Sequence, residues 1–106
     1  MITIEQFQQV QLRVGTITAA ESHPKADRLV VLQVDLGDEQ RQIVAGIREH
    51  YAAESLVGRQ IVVVVNLEPA KLRGVESQGM LLAASDGTRL TLVRPDEVIG
   101  AGATVR

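Results

Sequence analysis

Asn66-Leu67-Glu68-Pro69-Ala70-Lys71-Leu72-Arg73-Gly74-Val75-Glu76-Ser77-Gln78-Gly79-Met80-Leu81-Leu82-Ala83-Ala84 is the stretch whose reading decides the rest of the chain. It joins two apolar runs, Ile61 to Val65 and Met80 to Ala84. Each run is short enough to be a buried strand and is flanked by Gly, Asn or Pro, residues that punctuate elements. Between them Asn66, Lys71, Arg73, Ser77, Gln78 and Met80 gather at or near the mouth of a strand pair, where a rigid sheet can hold loop groups for binding. Two enzymatic readings fail here. Gly74 and Gly79 have the spacing of a phosphate-cradling loop, but that motif needs Lys and then Ser or Thr next, and Met80 and Leu81 follow. Ser77 is no nucleophile elbow, because the residue two positions earlier is Val75 and not Gly. A binding loop or an ordinary solvated one remains, and residue types alone leave both open.

At 106 residues the chain is one domain, large enough to bury a core without metal or disulfide. It has no Cys, which removes disulfides, thiol catalysis and thiolate zinc sites and fits a reducing, cytoplasmic setting. His23 and His50 are far apart and lack metal-ligand spacing, so no metal or other cofactor is expected. No basic segment followed by an apolar one opens the chain, and the longest apolar run is too short to span a bilayer, so neither an export signal nor a membrane is expected. The net charge of −2 argues against a protein that coats polyanions by bulk positive charge. Any nucleic-acid binding must come from a local patch. Arg59, Lys71 and Arg73 against Glu68 form one candidate, while Asp35, Asp38 and Glu39 cluster elsewhere. With only Phe7 and Tyr51 as rings, a base-stacking platform is not expected.

In chain order, Thr3 to Phe7 reads as a helical turn with Thr3 as N-cap and Gln6 completing a capping box. Phe7 and Val10 are expected to cover an end of the core. Val10, Leu12, Val14 and Thr16 alternate as in a half-buried strand, and Gly15 within it reads as a bulge or sharp bend. Ser22 to Arg28 is a loop, Leu29 to Leu36 a strand, and Arg41 to Ala45 its hairpin partner across the Gly37 turn. Arg48 to Leu56 reads as a short helix ending near Gly58. Ile61 to Val65 and Met80 to Ala84 are strands, and Ser85 to Thr88 turns a hairpin into Arg89 to Val93. Five strands with a short helix between the third and fourth is the order of an oligonucleotide-binding (OB) fold, an all-β, partly open Greek-key barrel. The barrel should span about residues 10–84. Residues from about 85 to 106 carry Leu90, Leu92, Val93, Val98, Ile99 and Val105, more apolar surface than a tail leaves wet, and read as a dimerisation extension.

Seven ordered blocks then carry a resemblance across essentially the whole chain. They are Leu12-Arg13-Val14-Gly15, His23-Pro24-Lys25-Ala26-Asp27-Arg28-Leu29, Val34-Asp35-Leu36-Gly37, Ile43-Val44-Ala45-Gly46-Ile47, Asn66-Leu67-Glu68-Pro69, Lys71-Leu72-Arg73-Gly74 and Ser77-Gln78-Gly79-Met80. The chain resembles the tRNA-binding domain found at the C-terminus of many bacterial methionyl-tRNA synthetases and as a stand-alone tRNA-binding protein. The resemblance implies a homodimer that binds tRNA by shape, without catalysis, either alone or covalently continuous with a synthetase. It implies tRNA-binding roles for Arg28, Asn66, Lys71, Arg73, Ser77, Gln78, Gly79 and Met80. Where the family usually has Lys, this chain has Arg28, which keeps the charge and changes the geometry. Related domains include a chaperone-like secretion homodimer, so a protein-interaction dimer on the same fold is the alternative. Blander readings stand beside these: His23 an ordinary loop residue, Met80 core, Ser77 a loop tie, and Gly74 and Gly79 turn formers.

Overall fold

β1 (Leu12–Ser22) is the long strand on which the other elements are assembled in the computed structural model, which describes residues 1–106. Its first half pairs antiparallel with β4 (Gln60–Val64), from Leu12 opposite Val64 to Thr16 opposite Gln60. Its second half pairs with β2 (Val30–Asp35), from Thr16 opposite Asp35 to Ser22 opposite Val30. The two halves diverge at a register shift between Ile17 and Ala19, which lets one strand serve two sides of a barrel. This places the irregularity beyond Gly15, where the sequence had suggested it. Gly15 is there for packing: a Cβ on it would sit 2.4 Å from the Val34 Cγ1.

β2 returns through the Gly37 turn as β3 (Gln40–Ala45). The small strands that follow are β5 (Ala70–Leu72), β6 (Val75–Ser77), β7 (Met80–Leu81), β8 (Ala83–Ser85), β9 (Leu90–Leu92) and β10 (Thr104–Val105). The main sheet runs β3-β2-β1-β4-β7, with β10 added beside the start of β1. Val30, Leu32 and Val34, alternate residues of β2, and Leu36 just past its end are wholly buried beside Ile17, Ile43, Ile61 and Val63. Each such side chain removed from water contributes about 2 kcal/mol.

Closure between β3 and the far edge is made largely by side chains. The Gln42 and Val44 N–H groups point away from β2, and side chains accept them: the Gln78 Oε1 at 2.9 Å and the Ser77 Oγ at 3.0 Å. The Gln78 N–H completes the seam by donating to the Gln42 carbonyl at 2.7 Å. The result is a nearly closed five-stranded antiparallel barrel of the OB type.

Three local readings change. The expected helix over 48–56 reduces to turns at Ile47 to Tyr51 and a 3-10 turn at Ala53–Leu56. Nine residues are too few to sustain a helix alone, and burial of Ile47 and Leu56 fixes the path instead. The helical turn Ile4–Phe7 forms with its Thr3 and Gln6 capping box, but Phe7 and Val10 stay 39% and 43% exposed. Residues 9–11 run outside the barrel along Val65 and Asn66, which hold their backbone by hydrogen bonds. The run Met80 to Ala84 divides into β7 and β8, and β8 pairs with β9.

The tail folds back on its own barrel. Gly102 N–H donates to the Val14 carbonyl, Val14 N–H donates to Ala103, and the Arg13 guanidinium reaches the Gly102 carbonyl. Leu90 and Leu92 pack against the core, whereas Val98 and Ile99 remain exposed.

Candidate nucleic-acid interface

The connection from Asn66 to Gln78 is not a plain loop. Its centre is a two-stranded hairpin, with Lys71 opposite Glu76 and Leu72 opposite Val75. Arg73 and Gly74 form its two-residue tip at φ 51° and 85°, the positive pair that matches the twist of antiparallel strands. An Arg in first position obscures this turn in the sequence, because Asn or Asp is the usual signal there. The geometry puts Arg73 at the summit and Lys71 on the flank, both exposed and neither in an ion pair.

The second element is the loop 23–29 that leads into β2. His23 is only 3% exposed, and both its ring nitrogens are engaged. Its Nδ1 lies 2.9 Å from the Lys25 backbone N–H, which can only donate, so Nδ1 accepts and the proton sits on Nε2. Nε2–H then donates to the Leu72 carbonyl at 3.0 Å, tying the loop to the hairpin. Arg28 and Arg73, drawn from two distant parts of the chain, thereby line one cleft, with exposed Lys25 on the same loop and exposed Lys71 on the same hairpin. Arg28 also reaches the Glu49 carboxylate at 3.2 Å, but with side chains 82% and 63% exposed this pair is worth only about 0–1 kcal/mol and exchanges readily.

The other expected site residues have internal partners. Asn66 accepts from the Gln11 N–H through Oδ1 and donates to the Gln9 carbonyl through Nδ2. The Ser77 hydroxyl, 3% exposed, accepts from Val44 and donates to the Gly79 carbonyl at 2.8 Å. Gln78 spends backbone and side chain on Gln42. Gly79 sits at φ 146°, where a Cβ would lie 2.8 Å from the Val64 carbonyl oxygen. Met80 is half-buried in β7 opposite Val64. The sequence reading did not single out Arg41, whose guanidinium spans the seam to the Val65 and Gln78 carbonyls and pairs with Glu39 at 2.7 Å. By sequence His23 reads as an ordinary loop residue. The one signal for it was its place before Pro24, which leaves its backbone extended and its ring free to turn inward.

A nearly closed OB-type barrel carrying cations on a pinned hairpin defines the class: a small β-barrel binding module. More particularly, the chain belongs to the family described as "Putative tRNA binding domain", which residues 12–104 match. It is 53% identical over 105 residues to a methionine–tRNA ligase of Thermococcus kodakarensis, covering 99% of this chain and 14% of the ligase. It is 56% identical over 104 residues to that of Thermotoga maritima, covering 98% of this chain and 16% of the ligase. The chain thus spans about a seventh of the length of these relatives. Among solved structures it superposes on a methionyl-tRNA-synthetase-related protein from Pyrococcus horikoshii with TM-score 0.94 at 37% identity, covering 100% of this chain and 98% of that one. Chaperone CsaA from Bacillus anthracis matches with TM-score 0.91 at 31% identity, covering 100% and 99%.

Proposed function

We propose that this chain binds tRNA without catalysing a reaction on it, as an appendage of a methionyl-tRNA synthetase or as a stand-alone homologue, in the cytoplasm where tRNAs are charged. The observation that carries this reading is the His23 tie, which gathers exposed cations from loop 23–29 and hairpin 70–77 onto one face of a barrel of this family. Arg28, Lys71 and Arg73, with Lys25, contact phosphates. Asn66, Ser77, Gln78, Gly79 and Met80 shape the face from beneath. Shape is read and base identity is not, because A-form helices hide their base edges in a narrow major groove. A homodimer built through residues 85–106, where Val98 and Ile99 are exposed, presents two such faces to one folded RNA.

The test is the salt dependence of binding to total tRNA. With about three to four phosphates neutralised per protomer, log K should fall against log salt with a slope of about −3 to −4. Replacing Lys71 and Arg73 by Ala should flatten it by nearly two units. An unchanged slope removes these residues from the interface. Binding of an unfolded peptide in place of tRNA supports a protein-interaction dimer instead.

A further inference from the structure

Between the two cationic elements lies a cleft of about 380 Å³, lined by Ala26, Asp27, Arg28 and Leu29 on one side and Arg73 on the other. No other hydrogen bond joins loop 23–29 to the hairpin, so the spacing of the two walls depends on the contact of His23 Nε2 with Leu72. The hairpin itself is fixed from its opposite side, where Gln42 and Val44 hold Glu76 and Ser77. The loop is held on its far side where the Arg48 N–H donates to the Arg28 carbonyl at 3.3 Å, so the His23 tie is what draws it toward the hairpin and sets the gap between the two walls.

We propose that this cleft is a seat for a single RNA phosphate, gripped by Arg28 and Arg73 together, and that His23 is the positioning residue that sets its width. The proposal rests on the tRNA-binding reading above. Two planar guanidinium forks on opposite walls can each give paired N–H donors to one phosphate, which a pair of lysines does less well. Asp27 repels an anion that enters without both arginines engaged, so the seat depends on the pair. Arg28 must exchange Glu49 for the phosphate, an inexpensive step for an exposed ion pair. His23 suits its task because its nitrogens do different jobs: Nδ1 shapes the loop and Nε2 holds the hairpin.

That division makes the role separable. In His23→Asn the side-chain oxygen takes the place of Nδ1 and keeps the local turn, but nothing reaches Leu72. In His23→Gln the amide nitrogen takes the place of Nε2 and keeps the bridge. Binding to total tRNA is measured against salt for the native chain, Arg28→Ala, Arg73→Ala, their double variant and both His23 variants, with thermal melting of each. Each single Arg change should weaken binding about fivefold, and the double variant little more, with its slope flattened by about one unit because one phosphate is lost. His23→Asn should match the single Arg variants, and His23→Gln should stay within about twofold of the native chain. Arginine losses that multiply, with the slope flattened by about two units, overturn the shared seat. Equal losses in both His23 variants, or none in His23→Asn, overturn the positioning role. If His23→Asn does not fold, the arginine cycle decides alone, since both arginines are exposed and outside the core. A native chain that does not bind tRNA overturns the function itself, and that outcome is distinct from all of these.

Discussion

Replacing Ser77 by Ala separates a residue that touches RNA from one that closes the barrel. The Ser77 hydroxyl is buried and has two partners, accepting from Val44 at 3.0 Å and donating to Gly79 at 2.8 Å. Val44 itself is wholly buried, so without the hydroxyl its N–H is left with no acceptor. Such an orphaned group costs about 1–3 kcal/mol, and the lost donation to Gly79 adds about 1 kcal/mol. A total of about 2–3 kcal/mol, allowing for relaxation, lowers the melting temperature of a domain this size by about 10–20 °C. Calorimetry reads that loss, and amide exchange at Val44 should speed up by about the same free energy. At a temperature where both proteins are folded, tRNA affinity should stay within about twofold of native. An unchanged melting temperature with a tenfold loss of affinity would refute the reasoning, because it would require the hydroxyl to face the RNA.

The same seam predicts that Gly79→Ala destabilises by about 2 kcal/mol or more, since its Cβ collides with the Val64 carbonyl at a positive φ; a melting temperature equal to native would contradict this. Asp38 is held below the ordinary carboxylate range by the hydrogen bond from Arg13, so its pairing adds stability above the unfolded-state value and loses it as pH falls through the folded-state value. Asp38→Asn should therefore flatten the acid limb of the stability curve and leave its neutral region nearly level, which denaturant titration across pH checks. Glu49→Gln and Asp38→Asn each raise net charge by one, yet at about 0.15 M salt only the first should tighten tRNA binding, by about two- to fivefold. Equal gains from the two would make the interaction one of overall charge. Val98→Asp should shift sedimentation toward monomer while leaving the melt of the barrel intact, and an unchanged sedimentation profile counts against a dimer built through this segment.

The core strands were legible because Val30, Leu32, Val34 and Leu36 alternate and because the run Ile61 to Val65 is short and β-branched throughout, which favours a strand over a buried helical turn. The hairpin inside the Asn66 to Gln78 connection was hidden, because a three-residue strand is too short for periodicity to register and its Arg73-Gly74 tip lacks the usual turn residues. Polar residues were legible as important, but their direction was not. Ser77 and Gln78 look like surface groups until the unpaired N–H groups of β3, donors contributed by residues more than thirty positions earlier, show what they are for. His23 was obscured in the same way: its partner Leu72 lies 49 residues away, and the one local signal, Pro24 after it, fixes the backbone and not the partner of the ring.

This also explains how an acidic chain can offer a face to RNA. The acidic turn Asp35 to Glu39 and the cationic loop 23–29 lie at opposite ends of β2. Six residues of strand separate them by about 20 Å, more than twice the distance over which physiological salt screens a charge, about 8 Å. The turn is further neutralised where it stands, by Arg13 on Asp38 and Arg41 on Glu39. Those two arginines fasten the tail and the barrel seam, so the fold takes its internal cations from the end that carries Asp38 and Glu39. Lys25, Lys71 and Arg73 are left without ion pairs at the other end, with Arg28 in an exposed pair that a phosphate can replace. Net charge is a sum over both ends, whereas a phosphate within a few ångströms of the hairpin feels only one.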